Sequence, residues 1–144
     1  MPTIQKPHAG FMVDKAVDLS NKDVQQRLSR SALPAFFRIV QNWELRDESA
    51  RRLLGGISNG AFYQLKRGQE KSLDQDKLTR ISLILGIFKA LNILYSRKLA
   101  DSWVNLPNSN PLFEGEPPLA YMTKGGVPAL MRVRQLLDAR RGGR

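Results

Sequence analysis

The sequence predicts an all-α fold in which one long apolar helix is shared between a helical module in front of it and a smaller one behind. Three observations predict this. Apolar residues recur at three- and four-residue spacing through most of the chain, and nothing reads convincingly as a strand. Glycine and proline pairs (Gly55-Gly56, Pro117-Pro118, Gly125-Gly126, Gly142-Gly143) cut that pattern into short pieces. The one long piece, Asp74 to Tyr95, has no proline and is apolar on nearly every side from Ile81 onward.

That piece is the axis of the chain. Ile81, Ile84, Leu85, Phe88 and Tyr95 share one face, and Leu83, Ile87, Ala90 and Leu94 share another. A surface helix buries a single stripe; two stripes demand cover on both sides. The cover is two modules of this chain, or one module and a second subunit, while a plain core helix in a small bundle is the competing reading. Ser82, Gly86, Lys89 and Asn92 interrupt the stretch, which is also too short for a bilayer span. Asp74 and Asp76 supply the negative charge that suits a helix start.

Composition bounds the rest. With 144 residues and 42% hydrophobic content, the chain can build one domain, or two small ones sharing a core. It has no cysteine, which excludes disulfides and cysteine metal sites and fits a reducing compartment. Phe11, Met12 and Val13 are followed at once by Asp14 and Lys15, so no signal-peptide core is present; a soluble cytoplasmic protein without a membrane partner is expected. The 23 basic against 13 acidic residues give +10, which favours polyanionic partners. Residues 1–73 and 74–144 each carry +5. A single DNA-binding patch in the front half leaves the basicity of the rear unexplained and hints at a second binding task.

In chain order, residues 1–30 form a polar arm, because Leu19 and Val24 are too sparse to define a helix. The arm is either inert or touches DNA phosphate. From Ser31, which can cap with Pro34 in the first turn, Ala32, Leu33, Ala35, Phe36, Ile39, Val40 and Trp43 recur at helical spacing. A second helix starts near Arg46 with Asp47 and Glu48 in its first turn and Ala50, Leu53 and Leu54 inward, and stops at Gly55-Gly56. Ser58 caps a third helix through Arg67 with Ile57, Phe62 and Leu65 inward. Beyond the axis helix, Leu99 to Val104 is a short helix anchored by Trp103. Residues 105–126 form an ordered, turn-rich connector with a short helix after Pro117-Pro118, and a last helix runs from about Val127 to Gly142-Gly143 with Leu130, Val133, Leu136 and Leu137 inward. There is no internal repeat.

The second and third helices, with glycines between them, describe a helix-turn-helix. A small residue (Ala50) is needed where the helices cross, and glycine lets the turn take positive φ without strain. The third helix must keep a polar outer face to enter a major groove. Ser58, Asn59, Tyr63, Gln64, Lys66 and Arg67 supply that face. Asn and Gln can pair with adenine, and Lys and Arg with guanine or phosphate, while Ser58 and the free amides at the helix start can hold a phosphate. The bland alternative is a bundle whose polar face is merely solvated. Specific DNA binding by such a motif implies a dimer on a two-fold operator.

The rear segment carries a resemblance. Trp103, Leu106-Pro107-Asn108, Leu112-Phe113-Glu114-Gly115, Pro118-Leu119, Met122, Gly125-Gly126, Val133-Arg134, Leu137-Asp138 and Arg141-Gly142-Gly143, in that order, resemble the toxin-binding domain of the Xre/MbcA/ParS antitoxins. The front half looks like the Xre-type helix-turn-helix that precedes that domain in the family. The resemblance covers roughly residues 30–144 and leaves the first 30 without a counterpart. It implies a type II antitoxin that neutralises a RES-domain toxin, an ADP-ribosyltransferase-like consumer of NAD, and represses its own operon. Some relatives are paired with toxins that ADP-ribosylate a metabolic enzyme. The implied layout is a helix-turn-helix at 31–73, the central helix at 74–97 and the toxin-binding domain at 98–144, within a homodimer in a larger complex.

A toxin-binding surface needs apolar anchors and charged contacts. Leu112, Phe113 and Tyr121 are the candidate anchors; Trp103 suits a structural role behind the axis helix. Arg134, Arg140, Arg141 and Arg144 are the candidate cations, and the Arg140–Arg144 tail could enter the toxin's NAD cleft, since guanidinium pairs with carboxylates and stacks on aromatics. A frayed, solvated end is the alternative. No cofactor and no catalysis are expected: His8 is the only histidine, and Glu44, Asp47 and Glu48 are explained as helix-start charge. The other functional readings are a stand-alone repressor and a structural adaptor.

Overall fold

The computed structural model describes residues 17–68 and 72–142. Among the described residues six α-helices are formed: α1 Lys22–Asn42, α2 Asp47–Leu53, α3 Asn59–Lys66, α4 Gln75–Leu94, α5 Arg97–Ser102 and α6 Pro118–Arg141. Single 3₁₀ turns at Trp103–Asn105 and Pro111–Phe113 join α5 to α6, and no strand is present among the described residues.

The axis helix lies where its two apolar stripes require. α4 packs on α1 along one side and on α6 along the other, with α5 folded against its end. Leu78, Ile81, Ile84, Ile87, Ala90 and Leu91 are completely buried, while Leu83, Leu85, Phe88, Leu94 and Tyr95 pack at the edges of the same core. Its first turn is fixed by Asp74, whose carboxylate accepts the Lys77 N–H at 2.9 Å and the Lys77 ammonium at 3.1 Å. Partial burial pushes the Asp74 carboxyl up, but the Lys77 N–H, the Lys77 ammonium and Arg80 more than reverse that, holding it below its ordinary value.

α1 begins well before Ser31, so residues 22–30, expected to belong to the polar arm, are helical; residues 1–16 lie outside the described residues. Asn21 is the cap, its side chain accepting the N–H groups of Asp23 and Val24. The added turns are paid for by few apolar contacts, chiefly Leu28, which extends the Ala32, Phe36, Ile39, Trp43 stripe by one step. Two polar side chains complete the seal. The Gln25 amide donates to the Leu19 carbonyl, and buried Ser29 accepts the Leu73 N–H at 2.7 Å, tying α1 to the chain entering α4. Pro34 therefore sits inside the helix rather than in its first turn. It is tolerated because Arg30 and Pro34 both lie on the exposed face, so the carbonyl that loses its donor faces water.

The rear elements also differ from expectation in one respect. The short helix after Pro117-Pro118 and the last helix are a single element, α6, bent at Gly126. There φ is 64° and ψ is −151°, a conformation open essentially to glycine alone, and Pro128 restarts the helix in the first turn beyond it. The bend turns the front of α6 toward α2 while the rest lies along α4. The 105–117 connector is ordered, as expected. Asn108 accepts the Asn110 N–H, Asn110 accepts the Leu112 N–H, and the Glu116 N–H returns to the Phe113 carbonyl. The Asn105 amide fastens it to the end of α1 through the Trp43 carbonyl at 2.7 Å.

Candidate functional site

Two candidate faces are built on this frame. The first is the α2–turn–α3 unit. Ala50 is fully buried in the core, and Gly55 and Gly56 take φ of 98° and 79°, the left-handed region that glycine was expected to supply. Ser58 caps α3 by accepting the Ala61 N–H at 3.1 Å. Phe62 and Leu65 point into the core, with Phe62 tilted against Phe37 of α1 at 5.5 Å between ring centres. Burying that face leaves Ser58, Asn59, Tyr63, Gln64, Lys66 and Arg67 all exposed on the outer side.

Their neighbours refine what each can do. The Arg67 guanidinium lies 5.3 Å from the Tyr63 ring centre, a cation–π contact that holds both near the end of α3. Lys66 is 3.8 Å from Asp47, a loose surface pair that a phosphate can displace. Arg51 was missing from the sequence-based set. Its Nε donates to the Ile57 carbonyl at 2.9 Å and its Nη1 donates to Asn59 Oδ1 at 2.8 Å, so it straps the turn to the start of α3. The Asn59 carbonyl is therefore already engaged and its amide nitrogen is the group offered outward. Nothing in the local sequence marks Arg51, because the strap spans a turn whose geometry fixes the reach.

The second face belongs to the 105–117 connector and α6. Phe113, expected as a contact residue, is instead 2% exposed. Its ring is held edge-on between Trp103 at 5.9 Å and Tyr121 at 5.6 Å, so it supports the surface from beneath and is not offered to a partner. Trp103 is buried, in keeping with a structural role. Leu112 and Tyr121 remain half-buried at the rim; Leu106, and Met131, which was not singled out from the sequence, are exposed large apolar residues of the same domain.

Arg134, Arg140 and Arg141 of α6 are each held by a neighbour. Arg134 lies flat over α4 where Gly86 leaves room: a Cβ at Gly86 would come within 2.0 Å of its Nη1. Its Nε donates to Asp138 at 3.2 Å, and Arg141 reaches the other Asp138 oxygen at 3.6 Å. The Arg140 guanidinium donates to the Tyr95 hydroxyl at 3.0 Å, which docks the helix end on the end of α4. Arg144 lies outside the described residues. No cluster of three potential metal-ligating side chains occurs among the described residues, and no helix there is long and apolar enough to cross a membrane.

Two segments of the chain match known antitoxin domains, and the first begins at residue 16, inside the stretch that the resemblance left without a counterpart. Residues 16–86 match the antitoxin Xre-like helix-turn-helix domain. Residues 90–143 match the antitoxin Xre/MbcA/ParS C-terminal toxin-binding domain. Uncharacterized protein y4oB of Sinorhizobium fredii is 41% identical over 112 residues, covering 77% of this chain and 84% of that one. No solved structure matches. A helix-turn-helix unit and a toxin-binding unit, matched in succession to two antitoxin domains and joined through α4, make this chain a member of the Xre/MbcA/ParS-type antitoxins.

Proposed function

We propose that this antitoxin silences a RES-domain toxin that consumes NAD, and that as a homodimer in the bacterial cytoplasm it represses the operon encoding both proteins as a type II system. The observation that carries the toxin half is the arrangement of guanidiniums along the end of α6. Arg134 and Arg141 share Asp138, and Arg140 is anchored on Tyr95. A row of held arginines loses little side-chain freedom on binding, and guanidinium is suited to carboxylates and aromatic rings in a nucleotide cleft. Leu112 and Tyr121 provide the adjoining apolar contact, and the Arg140–Arg144 segment reaches the cleft and blocks NAD.

Deleting residues 140–144 and measuring NAD hydrolysis by the mixed proteins tests this. Inhibition should be lost while the complex still forms through the 105–117 connector. Full inhibition at unchanged stoichiometry refutes the plug. The operon half rests on the exposed outer side of α3. An Asn59→Ala, Gln64→Ala, Arg67→Ala variant should no longer retard the upstream region on a gel yet should still inhibit the toxin. Retained retardation removes α3 as the reading helix.

A further inference from the structure

The turn of the helix-turn-helix and the bend of α6 face each other across a notch of about 330 Å³, lined by Arg52, Gly55, Gly56, Arg80, Thr123, Lys124 and Gly126. Its floor is Arg80. The guanidinium of that residue would touch a Cβ at Gly55 at 3.4 Å and one at Gly126 at 3.8 Å, so it lies between the two glycines with only 16% of its side chain exposed. Both glycines have positive φ, and neither wall carries a side chain that would fill the space. α2 contributes Arg52, α4 contributes Arg80 and α6 contributes Lys124, three cations from three helices.

Two of the three are partly neutralised. Arg52 meets Glu48 at 2.9 Å and Arg80 Nε meets Asp76 at 2.9 Å, whereas Lys124 has no ion-pair partner among the described residues. The surplus is one positive charge, the complement of one phosphodiester. The Thr123 hydroxyl is committed to the carbonyls of Leu119 and Ala120, so the donors available are the guanidiniums and the ammonium. Guanidinium and ammonium are donors with no acceptor atom, so the notch is suited to an acceptor group, and its surplus charge favours an anionic one.

We propose that this notch holds one phosphate of the operator backbone, and that Lys124, from the domain matched as toxin-binding, is a DNA contact. The position supports the backbone as source, because Gly55 and Gly56 run directly into Ser58 and Asn59 at the start of α3. A phosphate seated there would fix the register of the recognition helix, as backbone contacts do. The inference rests on the operator-binding half of the proposed function.

The test is the affinity of the full chain for a duplex of its own upstream region across a salt series, for the wild type, Lys124→Gln, Lys124→Arg and, away from the notch on α5, Lys98→Gln. Lys124→Gln should lower the slope of log affinity against log salt by about 0.9, the value of one phosphate contact. The weakening should be equal on the operator and on a scrambled duplex, Lys124→Arg should restore it, and Lys98→Gln should match the wild type. A Lys124→Gln slope equal to that of the wild type overturns the proposal and leaves operator binding intact. A wild-type chain that retards no DNA removes both. Inorganic phosphate titrated into the free protein, shifting the Gly55, Gly56 and Lys124 amides while the DNA slope stays unchanged in Lys124→Gln, would assign the notch to a free anion and overturn the backbone assignment.

Discussion

Replacing Ser29 with Ala isolates a buried polar link between α1 and the entry to α4. The Ser29 hydroxyl accepts the Leu73 N–H at 2.7 Å and donates to the Gln25 carbonyl; Ser29 and Leu73 are each 1% exposed. Water has no access to the Leu73 amide, so Ser29→Ala leaves a buried donor unsatisfied, at a cost of about 1–3 kcal/mol. Alanine returns up to about 0.5 kcal/mol in helix propensity. With that full return the net loss is about 0.5–2.5 kcal/mol, and for a domain of this size each kcal/mol lowers Tm by about 2–4 °C or slightly more. A fall of at least about 1 °C is expected in thermal unfolding followed by circular dichroism, together with faster hydrogen exchange at the Leu73 amide. A Tm within 1 °C of the wild type with the Leu73 amide still protected would show that the amide has another acceptor, and the argument that residues 22–31 are held in the helix by this seal would fail.

Three further outcomes follow from the same contacts. Ile87→Ala removes a fully buried side chain from α4 and should cost about 2–5 kcal/mol; because α1 and α6 both pack on α4, front and rear should melt in one transition, and two separated transitions would contradict a shared core. Gly86→Ala improves helix propensity by up to about 1 kcal/mol but drives the Arg134 guanidinium off its seat and away from Asp138; Tm should therefore change little while toxin inhibition weakens to the level of Arg134→Ala, and undiminished inhibition would remove Arg134 from the contact set. Asp74, held below its ordinary value, contributes stability that is present above the unfolded pKa and lost as pH falls through the folded one; wild-type stability should drop more steeply below about pH 4 than that of Asp74→Asn, and parallel acid limbs would refute the assignment.

What the sequence determined by itself was everything set by local periodicity and by residues with one physical use. Two apolar stripes on Asp74–Tyr95 required cover on both sides, Gly55-Gly56 required a left-handed turn, Ser58 required a helix behind it, and the outer side of α3 was legible because Phe62 and Leu65 fixed the inner one. The start of α1 was not legible, because Leu28 and the Ser29–Leu73 bond gain their worth only from an element more than forty residues away. Phe113 leaves its expected place for a similar reason: an apolar residue in a connector is core or surface according to which rings close over it. The Arg51 strap, the Gly86 seat and the three-helix notch lie in no local pattern. Hydrophobic spacing specifies which face of a helix turns inward, whereas hydrogen bonds and ion pairs between helices depend on the angle and depth at which they meet, and only the packed tertiary structure decides that.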